Sequence, residues 1–304
     1  MQILHKTAVN PSESQYFQLL LRQSPLDLIV LDHLIWLGIG KQVADLLHCD
    51  QSTVSRKAEA CCEFFKLGLQ KTEGEWTLLG SNKLIQQKRL LHQLYRLEHY
   101  APLRLGVSNG AAQMLKYGSL PDWCARVDNL INPNISLQLL IEGVIDAWLC
   151  SQPEELLALD CRGVAIKQLC NLPLLVIGHQ SHSLFRPGTN LEIALKANAI
   201  QVASATIWPK RCGWLRKNGL QTKTVLGQRH SYNRWDKLVD DGRALQLGTQ
   251  IQLEEHPEWR AVEIDLNCST GLSLVVTQEM ENKKSIKELE AQLSAIINST
   301  GRDG

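Results

Sequence analysis

The sequence predicts an α/β protein in which a compact helical head and one long helix precede a two-lobed domain of alternating strands and helices. Three observations carry that expectation. From Pro25 to about Ser81, apolar residues return at three- and four-residue spacing in short runs broken by glycines. An unbroken helical stretch follows, from Ser81 to Tyr100. From Leu103 the texture changes to short apolar runs separated by helical segments, the pattern of β-α-β units. The 304 residues suffice for two domains, and 44% apolar with 21% charged residues excludes disordered and fibrous classes. Lys plus Arg number 32 against 31 Asp plus Glu, so overall charge announces neither a polyanionic partner nor a membrane anchor.

Residues 1–24, with the polar cluster Asn10 to Ser14, read as a leader ahead of the first helix. Residues 25–80 form the head. Pro25 opens a helix whose Leu28, Leu31, Leu34 and Ile35 share a face, and Gly38 and Gly40 break it. A second helix runs from Lys41 to Leu47. His48 and Cys49 connect tightly to Asp50, placed to N-cap a third helix from Gln51 to about Phe65. Two helices so joined form the helix-turn-helix signature, and Leu69 to Leu78, around a turn at Gly74, reads as a β-hairpin wing. Ser81 then caps the long helix. Its Leu84, Ile85, Leu91, Leu94, Tyr95 and Leu97 form an apolar stripe for a partner, with Lys83, Lys88, Arg89 and Arg96 on other faces, and Pro102 ends it.

Strands are expected at Leu103–Val107, Val144–Leu149, Leu174–Ile177, Ile200–Ala203 and Leu272–Val276, in parallel β-α-β units over residues 101–304. Lobe one takes about 101–178 and 270–304, and lobe two about 179–269. Ser285 to Ile297 is an amphipathic helix laid back on lobe one.

The sharpest chemical pattern lies in Gln42 to Lys57. Ala44 lets two helices cross closely, Leu47 and Val54 close the core between them, and Gln51, Ser52, Thr53, Ser55, Arg56 and Lys57 crowd the first turns of the second helix. In this motif those turns enter the major groove of double-stranded DNA, where Gln reads adenine, Arg reads guanine and hydroxyls take phosphate. Charge supports this modestly: residues 41–96 hold nine Lys and Arg against six Asp and Glu. Other candidates are weaker. His179 and His182 lack a third ligand at metal spacing, Cys61-Cys62 lies within the third helix, and Asp240-Asp241 and Glu254-Glu255 read as solvated faces. No phosphate loop, nucleophile elbow, zinc-protease or dinucleotide motif occurs, so no enzyme, metal or cofactor is expected. Nine scattered cysteines without C-x-x-C read as reduced thiols. The most apolar stretch, Leu26 to Ile39, is interrupted by Asp27, Asp32 and His33, and with no signal segment a cytoplasmic location is expected, without membrane contact.

These residues resemble the LysR-type transcriptional regulators. That family's A-A-x-x-L-x-V-S-Q-P-A-V-S-R pattern lies on Val43 to Arg56 without gaps and matches at Ala44, Leu47, Gln51, Val54, Ser55 and Arg56. Trp76 to Gly80 resembles the end of its wing, Leu103 to Val107 its first effector-domain strand and Gly143 to Leu149 its G-x-L-D-L-A-I segment. Leu172 to His182 resembles the strand that crosses to the second lobe, and Leu238 to Ala244 its L-V-x-x-G-x-G stretch. The likeness spans about residues 25–300. Departures are the leader, a shortened wing, and Ala58, Glu59 and Ala60 in place of a larger, more basic helix face.

The resemblance implies a winged helix-turn-helix, a linker helix and a two-lobed, periplasmic-binding-protein-like effector domain. It implies a homodimer through Ser81 to Tyr100, a homotetramer as a pair of dimers, contact with RNA polymerase, and a wing contact at Lys71. It also implies a small effector between the lobes, where open α/β sheets bind ligands beyond strand C-termini. Ser108, Asn109 and Gly110, where a helix begins, suit an anionic effector such as a carboxylate, and Ser151, Gln152, Ser204 and Thr206 take corresponding strand ends. Two rival readings remain: an enzyme using the two-lobed domain, and a ligand-binding adaptor without DNA affinity.

Overall fold

The computed structural model describes residues 25–98, 102–115, 120 and 122–299, so the leader and Tyr100 lie outside the described residues. The chain divides between Ile85 and Gln86 into two compact units.

The first unit holds α1 (Pro25–Leu37), α2 (Gly40–Leu46), α3 (Gln51–Phe65), β1 (Gly68–Thr72) and β2 (Glu75–Leu79). Gly38, at φ 73, stops α1 in the left-handed conformation that favours glycine, and its N–H reaches Leu34 O at 2.9 Å. On α3, Val54, Ala58, Cys61 and Phe65 recur at helical spacing and are buried, with Val43 and Ala44 of α2 buried as well. Asp50 has the extended backbone of an N-cap, but its side chain makes no capping bond, contrary to expectation. Its carbonyl accepts from Thr53 and Val54 instead. Cys61 and Cys62 are both buried. The wing pairs Lys71 with Trp76 across an antiparallel hairpin, and Glu73 (φ 53) and Gly74 (φ 92) both take positive φ, as a two-residue hairpin turn of matching twist requires.

The long helix α4 (Lys83–Glu98) starts two residues after the predicted cap, Ser81. In the second unit the chain continues through β3 (Leu103–Val107), α5 (Asn109–Leu115), β4 (Trp123–Val127), α6 (Pro133–Ile141), β5 (Ala147–Cys150), α7 (Pro153–Leu156) and β6 (Val164–Pro173). It then crosses to a second sheet with β7 (Leu175–His179), α8 (Leu191–Ala197), β8 (Ile200–Val202), α9 (Pro209–Lys217) and β9 (Thr222–Thr224). That lobe ends with α10 (Asp236–Asp240), β10 (Leu245–Gly248), α11 (Gln250–Glu255) and β11 (Trp259–Ala261), before β12 (Ser269–Thr277) returns to the first sheet and α12 (Lys284–Ser299) closes on it.

The first sheet runs β4-β3-β5-β12-β6 and the second β11-β7-β10-β8-β9. Every predicted strand is present, but the expectation of purely parallel units is corrected: β12 runs antiparallel to β5 and β6, and β7 antiparallel to β10 and β11. The cause is connectivity. The chain leaves lobe one by β6 and returns by β12, so the outgoing and incoming strands lie side by side in opposite directions, tied at the crossing by Leu174 N–H to Cys268 O at 3.1 Å. Lobe one packs Leu105, Leu149 and Leu274 beneath the α12 stripe Ile286, Leu289, Leu293 and Ile297, as its spacing predicted. Lobe two closes on Val176, Ile200, Leu215 and Leu245.

Polar groups dock the C-terminal part of α4 on lobe one. Arg89 bridges Glu142 at 2.8 Å, and Asp146, fully buried, accepts from Arg96 at 2.6 and 3.0 Å, from Gln93 at 2.9 Å and from the Arg104 N–H at 2.8 Å. Leu84, Leu91, Leu94 and Tyr95 stay exposed on the helix.

Candidate nucleic-acid interface and ligand cleft

In the first unit the helix-turn-helix leaves the start of α3 open. Gln51, Ser52, Ser55 and Arg56 are exposed, and Thr53 is half-buried. Two predicted contact lysines are engaged within the unit. Lys57 pairs with Asp27 at 3.0 Å, and Lys71 donates to Gly38 O at 3.2 Å while lying 5.2 Å over the Trp76 ring. Trp76 Nε1 donates to the same carbonyl at 3.2 Å, so wing and α1–α2 loop are pinned together. Further along α3 the exposed residues are Glu59, Ala60 and Glu63, which leaves its first turns as the polar, cation-bearing end. Residues 25–82 carry five Lys and Arg against eight Asp and Glu, because the cations that made residues 41–96 basic lie on α4.

In the second unit a cleft of roughly 100 Å³ opens between the lobes. Ser108, Asn109, Gly110, Ser151 and Gln152 line it, as their places after β3 and β5 led one to expect. Ser108 Oγ donates to Ser151 Oγ at 2.9 Å and accepts from Ser151 N–H at 3.0 Å. Gly110 is required beside them, since a Cβ there would sit 2.6 Å from Ser151 Oγ. Ser204 and Thr206 are not in this lining. Their hydroxyls bond each other at 2.6 Å, in the turn that leads to Trp208.

Lobe two supplies residues that strand-end reasoning missed. Gln201 and Gln246 face each other in register on β8 and β10, and both are buried. Trp208 and Trp235 form a wall with ring centroids 5.6 Å apart, and His230 Nε2 lies 3.2 Å from Asp236. A polar residue inside the apolar run Ile200 to Ala203 was the available signal for Gln201. Nothing local marks Arg211. Its guanidinium is buried, 2.6 Å from Glu154 through Nε and 3.0 Å from Thr270 Oγ1, and stacks 4.8 Å from the Trp208 ring.

Beside it, Glu155 of lobe one accepts from the N–H groups of Lys210 at 3.0 Å and Arg211 at 2.9 Å, at the start of α9 in lobe two. Burial pushes its carboxyl above the ordinary 4.5, while those two N–H groups and the Arg211 charge oppose the rise. The lobes are also joined by Ile131 N–H to Gln228 O at 2.8 Å and His230 N–H to Asn129 O at 2.7 Å.

The weaker sequence candidates have structural roles. His182 is buried and its Nδ1 accepts from Leu184 N–H, capping a short turn, while His179 bonds Ser181. Asp240, His256 and Glu258 converge, but Asp240 already accepts from Trp259 Nε1 and the Tyr232 hydroxyl. Burial raises the thiols of Cys150, Cys161 and Cys212, and that of Cys268 to about 11, which holds them in the unreactive protonated form. Among the described residues no helix is long and apolar enough to cross a membrane.

No protein-family model matches the sequence, and no curated protein matches it. Solved structures do. A full-length OxyR variant from Pseudomonas aeruginosa aligns over 88% of this chain and 96% of its own, at 14% identity and a TM-score of 0.52. ArgP from Mycobacterium tuberculosis aligns over 89% of this chain and 96% of its own, at 13% identity and a TM-score of 0.51. Both are LysR-type regulators. The winged helix-turn-helix, linker helix and two-lobed α/β domain described above thus follow one another as in those proteins, and the chain has the fold of a full-length LysR-type regulator.

Proposed function

We propose that the chain is a sequence-specific DNA-binding transcription regulator, acting in the cytoplasm as a homodimer or a pair of dimers and governed by a small molecule held between its lobes. The observation that carries this reading is the open first turn of α3, where Gln51, Ser52, Ser55 and Arg56 stand exposed. Arg56 reads a base edge, and the hydroxyls and Thr53 take phosphate. One such helix spans too few base pairs for useful specificity, so a second copy is needed, and the exposed apolar side of α4 is where it docks. The effector sits among Ser108, Asn109, Gly110, Ser151 and Gln152, and the regulator has no catalytic role of its own. Contact with RNA polymerase follows from the same reading.

The acid excess of residues 25–82 favours a second reading, an adaptor whose α3 meets a protein. One experiment separates the two: fluorescence anisotropy of the full chain on duplex DNA from upstream of its own coding region, beside a scrambled duplex, at several salt concentrations. The regulator should prefer its own duplex, and Arg56→Ala should weaken that binding about tenfold or more. Within residues 25–82, Lys41, Arg56 and Lys66 are the exposed cations with neither an ion pair nor a side-chain hydrogen bond among the described residues, so the slope of log affinity on log salt should be shallow, about −3 per protomer. Equal weak binding to both duplexes, indifferent to Arg56→Ala, would transfer the reading to the adaptor.

A further inference from the structure

We infer that the cleft takes a neutral, planar ligand presenting a hydrogen-bond donor beside an acceptor, an amide or lactam edge, rather than a carboxylate or phosphate. This rests on the cleft being the effector site. Its starting point is Gln201. The side chain is 1% exposed, lines the cleft from β8 of lobe two, and has no hydrogen-bond partner among the described residues for either its Oε1 or its Nε2. A carboxamide left so is a standing cost to the fold, since buried polar groups are otherwise nearly always paired. A ligand that supplies both partners removes that cost only in the bound state.

The chemistry of the missing partner follows from the group itself. A carboxamide offers one donor and one acceptor in a plane, so an amide or lactam edge satisfies both at once, donor to Oε1 and acceptor to Nε2. A carboxylate satisfies Nε2 alone and sets its second oxygen against the lone pairs of Oε1. Gln246 stands in register beside Gln201 and extends the carboxamide surface. The adjoining wall is aromatic. Trp235 lines the cleft with its Nε1 buried and without a partner among the described residues, a further donor for a ligand carbonyl, whereas the Trp208 Nε1 is occupied by Ile131 O at 3.1 Å.

Charge agrees. Arg211 is the one Lys or Arg among the described lining residues, and Glu154 neutralises it at 2.6 Å, while His230 faces Asp236. An anion entering this cleft would give up its hydration without an unpaired counter-charge in return.

The test is thermal shift and calorimetry on the full chain with matched probes: benzamide against benzoate, and nicotinamide against nicotinate, with uracil as the lactam. The amides or uracil should bind, at least about tenfold more tightly than the carboxylates, and Gln201→Leu should abolish that preference. In the unliganded protein the same substitution should raise the melting temperature by a few degrees, because it removes two unpaired buried atoms. Tighter binding of the carboxylates overturns the ligand class and leaves the cleft reading standing. Binding indifferent to Gln201→Leu overturns the assignment to this side chain. Silence of every probe, with Gln201→Leu no more stable than its parent, overturns both inferences.

Discussion

A single methyl group separates the two kinds of glycine in this molecule. At Gly110 an added Cβ meets Ser151 Oγ at 2.6 Å and Ser151 Cβ at 3.0 Å, inside the hydroxyl pair that joins β3 and β5 at the cleft floor. At Gly213, in α9, nothing lies within 4 Å. Gly110→Ala is therefore an overpacking change, expected to cost about 1–3 kcal/mol, whereas Gly213→Ala removes a helix-interior glycine and should stabilise by about 0.5–1 kcal/mol. Denaturant unfolding of the two variants beside their parent checks the opposite signs, and equal effects would remove the steric argument. The sequence placed Gly110 correctly at the strand end, but the hydroxyl that forbids a side chain there comes from 41 residues further on.

Among the elements, α4 departs most from what periodicity alone conveys. Its pattern of leucines reads as a packing stripe, yet beside Leu97 the residues that seat it on lobe one are Arg89, Gln93 and Arg96, because Glu142 and Asp146 form a polar socket for them. Asp146 has no exposure and four donors. Asp146→Ala leaves Arg96 buried without its counter-charge and should cost about 3–5 kcal/mol in urea unfolding. Leu91→Glu, on the exposed side, should leave that stability nearly unchanged and shift sedimentation towards the monomer. The reverse pattern would mean that the apolar stripe, and not the ion pairs, is what holds the helix.

Across the whole two-lobed domain, the lobes are clasped by Glu154 on Arg211 and Glu155 on the start of α9, so acid chemistry bears on how the cleft is held. Burial raises the Glu155 carboxyl above 4.5. The folded protein then keeps a proton that the unfolded chain has already released, so this contribution to stability is complete below 4.5 and is lost as pH rises through the elevated folded value. Glu155→Gln keeps an acceptor for the α9 amides and removes the titration. The melting temperature of Glu155→Gln relative to its parent should therefore climb as pH is raised from below that window to neutrality, and parallel curves would assign the shift elsewhere.

By itself, the sequence determined the type of the elements it marked locally. Helical spacing from Pro25 to Phe65, the Gly74 turn and the apolar runs at Leu103, Leu174, Ile200 and Leu272 are local and elements stand there, whereas the run at Val144 becomes a strand only from Ala147, and β4, β6, β9, β10 and β11 were not read from the sequence. The strand ends that bear Ser108 to Gly110 and Ser151 to Gln152 were legible for the same reason. Tertiary structure alone decided that the sheets are mixed, that Lys57 and Lys71 are engaged at home, that Arg211 is neutralised, and that Gln201 is buried without a partner among the described residues. Pairing, desolvation and the absence of a partner belong to groups brought together from distant parts of the chain. No local period encodes them, because the same glutamine in the same strand is satisfied or orphaned according to what the rest of the fold sets against it.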